Sequence, residues 1–197
     1  MEKLYSYKMS HDNGFAPNPY FGVLTLATCK PQIRLKVAEG GWIAGWTSQS
    51  MKLHSTTVGN EKLVYLAKIT KKLSYGEYWE TFPNKRSGNT AVATYGDNIY
   101  CPSLDETYGY RQIPNLRHNT EVQKIKDMSG QYVLVCEEFY YFGATKGSMP
   151  LDIPESVRPN IPKGQSPVGV ITENPSALID FVRTNANKCK LCNHRLL

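Results

Sequence analysis

Apolar and polar residues alternate in short blocks along this chain, and the alternation predicts strands. LYSYKM (4–9) has the period of two that sends successive side chains to opposite faces of a sheet. GWIAGWTS (41–48) reads as a second strand, entered through the turn at Gly40–Gly41. KLVYLAKIT (62–70) is a third, with Leu63, Tyr65, Ala67 and Ile69 on one face. QYVLVCEEFYYFG (131–143) is the strongest strand signal, and Tyr132, Leu134 and Cys136 alternate within it. Helical signals are fewer. Ser74 and Glu77 form a capping-box pattern, which places Tyr78 and Trp79 on a short helix. Asn174 followed by Pro175 starts a C-terminal helix expected over 175–187.

Two stretches lack periodicity. Residues 81–119 are rich in turn formers, and a run of that length is usually functional or mobile. Residues 149–167 hold five prolines and predict an extended loop. With no repeat and no separate linker, the 197 residues read as a single domain, 1–197. The expected fold class is α+β: a small curved, mostly antiparallel sheet or PUA-like barrel of about five to seven strands with flanking helices.

The densest chemistry lies in HDNGFAPNPYFGVLTLATCKPQIR (11–34). His11, Asp12, Phe15, Asn18, Cys29, Lys30 and Arg34 crowd a segment stiffened by prolines and glycine, the usual construction of a polar pocket. The alternative is a packed loop whose Asn and Asp cap turns. Pro31 biases Lys30 to an extended backbone, so Lys30 and Arg34 are expected to reach one side and hold phosphate, or else to pair with carboxylates such as Asp12 or Glu39. Trp42 and Trp46, four apart in a strand, share a face; at least one belongs in the core, and Trp46, nearer the strand end with Ser48, is the better candidate for a site. GDNIY (96–100) adds Asp97, Asn98 and Tyr100 as a second polar edge. These three groups, 11–34, 45–48 and 96–100, are expected to line one concave pocket.

Charge changes the picture modestly. Lys and Arg number 23 against 17 Asp and Glu, a net charge of +6 that suits a polyanion partner. No apolar run approaches the length of a membrane span and no signal-peptide core is present, so no membrane association and a cytoplasmic location are expected. The five cysteines have no small-scaffold spacing, which favours reduced thiols. Catalytic candidates are Asp12, Cys29 and His118, which with His11 and Lys30 could supply a nucleophile and an acid–base pair; the alternatives are a small apolar group in a packed turn for Cys29 and a hydrogen-bonded structural residue for His118. Cys189, Cys192 and His194 make half of a zinc site; no metal is assigned. Walker and GxGxxG patterns are missing, and no cofactor is implied.

Several strings also resemble a known family. D-x-G-F-A-P-N-P (12–19), L-A-T-C-K-P-x-I-R (26–34), GWIAGWTS, LVYLAKITKKLSYGEYW (63–79), GDNIY, His118 and FYYFG (139–143) are similar to nucleotide modification associated domain 2. The family usually has Gly-Asp-Trp-Ile where this chain has Gly41 in place of the Asp. The resemblance implies an association with DNA modification in phages and bacteria, and a nucleic acid or a free nucleotide as partner. Three functions remain open: recognising or helping install a modified base, an enzyme acting on a nucleotide or modified base (a transferase or glycosidic-bond hydrolase), and an inhibitor that sequesters a nucleotide. Neither the base nor the oligomeric state follows from the sequence.

Overall fold

In chain order, β1 (Lys3–Lys8) and β2 (Leu24–Leu26) precede a short helix, α1 (Pro31–Lys36). β3 (Trp42–Trp46), β4 (Leu63–Lys68) and β5 (Lys71–Ser74) lead into α2 (Tyr75–Thr81). A hairpin of β6 (Tyr100–Pro102) and β7 (Tyr110–Gln112) comes before α3 (Glu121–Met128), β8 (Tyr132–Cys136) and β9 (Glu138–Tyr141). β10 (Val170–Glu173), α4 (Ser176–Thr184) and β11 (Leu191–Cys192) follow. These elements come from a computed structural model that describes residues 2–88 and 95–192.

The fold is mixed α+β with small sheets. The strands form a six-stranded sheet in the order β10-β1-β3-β4-β9-β11, a three-stranded sheet β2-β8-β5 and the hairpin, rather than the single curved sheet expected. Only β1 and β3 run parallel among these pairings; the other partners are antiparallel. The chain changes sheets abruptly in two places. Ile69 N donates to Gly41 O while the next amide, Thr70 N, donates to Val135 O. Glu137 makes the second corner, its N–H donating to Thr70 Oγ1 at 3.0 Å. The 131–143 block is therefore two strands in two sheets.

Alternation explains the layers. From β1, Tyr5 and Tyr7 join Ile43, Tyr65, Phe139, Leu24, Leu26 and Leu134 in a core between the sheets. The opposite face of the large sheet carries Leu4, Trp42, Ala44, Trp46 and Leu66, covered by Leu178, Ile179 and Val182 of α4 and by Leu151 and Ile153 of the proline-rich segment. Both tryptophans are core, with 0% exposure. Trp46 is thus not a pocket residue: the period of two that points it away from β3's other face also aims it under α4. A third cluster packs Val133 and Val135 against Tyr75, Tyr78 and Tyr100.

Gly45 sits where β3 and β4 slip register. A Cβ there would collide with the Tyr65 ring and the Met9 sulfur. Gly45→Ala is expected to lower stability by about 1–3 kcal/mol through overpacking, read as a fall in the urea midpoint at unchanged m-value.

Residues 31–36 form a helix, and Lys30 before it is left-handed, with φ 41° and ψ 47°, instead of extended as expected. Proline at the first helical position loses no hydrogen bond and arrives with its φ already helical. Two further elements carried local signals that the periodicity reading passed over. Thr120 and Gln123 make a complete capping box at the start of α3. Leu24–Leu26 is fully buried as a short strand of the small sheet.

Candidate active site

The turn between β2 and α1 holds its residues in an unusual backbone. Cys29 has φ 60° and Lys30 has φ 41° and ψ 47°, two consecutive non-glycine residues in the left-handed region. Each such residue costs about 1–3 kcal/mol and persists only where its surroundings fix it. Cys29 is held at both ends: its N–H donates to Asp127 Oδ1 at 2.8 Å, and its carbonyl accepts from Arg34 Nε at 2.8 Å.

The thiol of Cys29 then meets an ordered relay. Its Sγ lies 3.6 Å from His118 Nε2, and His118 Nδ1 lies 2.7 Å from Asp127 Oδ2. Tyr100 donates its hydroxyl to the same Oδ2 at 2.8 Å. A carboxylate so placed accepts from Nδ1–H and leaves Nε2 facing sulfur, the tautomer a general base needs. The imidazole is fixed from its backbone as well: Asn115 Oδ1 accepts from His118 N at 2.7 Å, and Gln112 Nε2 donates to His118 O at 2.6 Å. The Phe15 ring packs on it with centroids 5.4 Å apart. Burial pulls the His118 pKa down, but the hydrogen bonds and charges of Asp127 and Cys29 together outweigh it and raise the value from 6.5 to about 9. A ring so raised readily accepts the thiol proton, and an imidazolium is the partner used to hold reactive cysteines.

This cluster opens on a cavity of about 280 Å³ lined by Tyr7, His11, Phe15, Cys29, Lys30 and His118, among others. Lys30 Nζ stands 4.6 Å above the Tyr7 ring and 3.5 Å from Gln165 Oε1. Its pKa is lowered, chiefly by burial. Lys8 also lines the cavity but is held by Glu61 at 2.7 Å, which Arg158 binds in turn at 2.8 Å.

The other residues singled out in the sequence fall elsewhere. Arg34 is 0% exposed: its guanidinium donates to Cys29 O, Tyr75 Oη, Tyr132 O and Asp127 O. It holds the protein's own carbonyls and has no donor left facing solvent, so the phosphate-holding role expected for it fails. Asp12 accepts from Tyr141 Oη, Ala144 N and Gly14 N, which ties its loop to β9 rather than presenting a catalytic acid. Asn18 and Asp97 are fully buried around Lys85, and Asn98 spends its amide on Tyr78 O and Phe82 O. Ser48 is buried on Met9 O at 2.6 Å. His11 is exposed at the cavity, bonded to Ser10. Of the expected common pocket, the structure gathers His11, Phe15 and Lys30 with Cys29 and His118; Asn18, Asp97 and Asn98 form a separate buried network. Tyr100 belongs to the site from the inside, through Asp127.

Asp127 is the member the sequence did not mark, being one carboxylate in the last turn of an ordinary amphipathic helix. Cys189 is buried, with Tyr141 N donating to its sulfur at 3.1 Å. The Cys192 side chain and His194 lie outside the described residues. Among the described residues no group of three His, Cys, Asp or Glu side chains is arranged to hold a metal ion, and no helix is long and apolar enough to cross a membrane.

Fold and site together define a mixed α+β protein with a thiol, an imidazole and a carboxylate in relay at the edge of a cavity. The model of the family described as nucleotide modification associated domain 2 matches residues 1–183, and the chain belongs to that family. No curated protein and no solved structure matches it.

Proposed function

We propose that this protein is an enzyme that acts on a nucleotide or a modified base through covalent catalysis by Cys29. The observation that carries the reading is the Cys29–His118–Asp127 relay opening on a cavity. His118 takes the thiol proton, the sulfur bonds to an electrophilic carbon of the substrate, and the imidazolium returns the proton to the departing group; water or a second substrate then releases the product from sulfur. Asp127 keeps the imidazole oriented and offsets its charge. The nucleotide enters this proposal from the family's association with nucleotide modification. A cytoplasmic, reducing location suits a reactive thiol. We also infer a PUA-like arrangement of the sheets, supported by the two corners at which the chain passes between them.

Binding of a modified base without turnover is the second reading, favoured by the net charge of +6. Mass spectrometry separates the two. The protein and its Cys29→Ser variant are incubated with modified and unmodified oligonucleotides and with free nucleotides. A product, or an adduct on Cys29, is expected with the parent and absent with the variant. Products formed equally by folded Cys29→Ser would sink the covalent mechanism.

A further inference from the structure

Beside the cysteine cavity lies a second one of about 600 Å³, and Asn13, Phe15, Leu116 and Arg117 line both. Its far wall is aromatic. Tyr20 and Tyr95 pack with centroids 4.8 Å apart and planes inclined by 60°. Tyr95 is 52% exposed, so the pair has a free apolar surface. This wall is built in advance. Gly14 has φ +70°, and any Cβ there would stand 2.8 Å from the Tyr20 hydroxyl, so only glycine lets the ring lie against the 13–15 backbone. Asn18, fully buried, donates one amide group to both Gly14 O at 3.1 Å and Tyr95 O at 2.5 Å, tying the two tyrosine-bearing segments together. Asn13 is also oriented, its Oδ1 accepting from Phe15 N at 3.1 Å, which turns its NH2 group away from that turn. Arg117 is exposed at the border of the two cavities and makes no ion pair with a described residue.

We infer that this second cavity is a nucleotide subsite, in which a base stacks on the Tyr20–Tyr95 wall and its phosphate meets Arg117. Stacking on aromatic faces accepts any base, an oriented amide reads a base edge, and a guanidinium matches phosphate oxygens. The shared walls give the proposal its geometry: a nucleotide seated here places a substituent of its base or sugar toward the cavity of Cys29. The assignment rests on the proposed enzyme reading for its purpose, but its chemistry is tested separately.

The test is calorimetry on Cys29→Ser, which removes turnover, with the four deoxynucleoside 5′-monophosphates, the corresponding nucleosides and a short single-stranded oligothymidylate. Binding of a monophosphate or of the oligonucleotide is expected; the comparison tells whether a free nucleotide or a strand is the source of the base. Tyr20→Ala or Tyr95→Ala added to this background should weaken binding about 10-fold, and Tyr20→Phe, which keeps the ring, should not. Arg117→Gln should weaken the monophosphates and leave the nucleosides unchanged. Equal binding by all variants, or no binding of any probe, overturns the subsite. Alkylation of Cys29 in the otherwise unaltered protein is measured alongside. If nothing binds but alkylation depends on His118, the subsite falls and the enzyme reading stands. If probes bind as expected but alkylation ignores His118, the subsite stands and the covalent mechanism falls.

Discussion

Asp127→Asn is expected to slow the alkylation of Cys29 by iodoacetamide at pH 7 by about 100-fold, a loss set by the dependence of a triad on its orienting carboxylate. The carboxylate accepts from three donors at once: Cys29 N, His118 Nδ1 and Tyr100 Oη. An amide at this position satisfies fewer of them. If its oxygen stays on Cys29 N, its NH2 group faces Nδ1 and forces the imidazole into the other tautomer, with N–H turned against sulfur. The imidazolium loses its counter-charge at the same time. Unchanged reactivity in a folded variant would mean that Cys29 owes nothing to the relay.

The same substitution changes the pH dependence of stability. His118 has a folded pKa of about 9 against 6.5 unperturbed, so the native state binds the proton more tightly. That contribution is fully present below pH 6.5 and is lost as pH rises through about 9. The stability gap between the parent and Asp127→Asn in urea is expected to be widest near pH 6 and to narrow toward pH 9.5. Lys85 works in the opposite sense, because burial lowers its pKa from 10.5 to about 8 and stability rises between those values. It is present in both proteins and cancels in the difference.

Arg34→Met is expected to cost about 3–5 kcal/mol, a large share of the stability of a domain this size. The aliphatic stem is kept, but the Cys29 and Tyr132 carbonyls lose the arginine as donor inside the protein, while Asp127 O keeps Gly130 N and Tyr75 Oη. An acceptor left buried without a partner costs about 1–3 kcal/mol. Arg34→Lys should recover little, since an ammonium cannot span the positions that the guanidinium fork reaches. Gly130 confirms how closely the fork is enclosed: a Cβ there would strike the guanidinium itself. Chemical denaturation checks the figure, and a cost below about 1 kcal/mol would show that water or a rearranged loop replaces the arginine.

Local pattern made much of this fold legible. Alternation marks β1, β3 and β4, and the Ser74–Glu77 box marks α2, because each signal is complete within a few residues. The 131–143 block misleads because a strand that changes sheets at Glu137 keeps its apolar residues on both sides of the corner. Arg34 misleads for a different reason. Pro31 is compatible with an extended chain after Lys30 and equally with the first turn of a helix, and only the tertiary pull of four buried partners decides. At the site, Cys29 and His118 stand out as residue types that do chemistry. Asp127 does not, since carboxylates are ordinary on helices; its role comes from the way α3 lies against the β2–α1 turn. The polar residues of GDNIY were visible, but their burial around Lys85 was not, because the sequence says nothing of which amides face inward.

β1 lies inside the large sheet, with Leu4 opposite Trp42 on one side and Lys3 opposite Glu173 on the other. One edge of this strand is filled early in synthesis, and the other stays open until residues 170–173 have left the ribosome. Closure between such distant segments is slow, because the loop entropy is lost before the pairing repays it. An open strand edge in the meantime is a template for another chain. Dilution during refolding therefore favours the native sheet, since the competing pairing is bimolecular and the closure of β10 onto β1 is not.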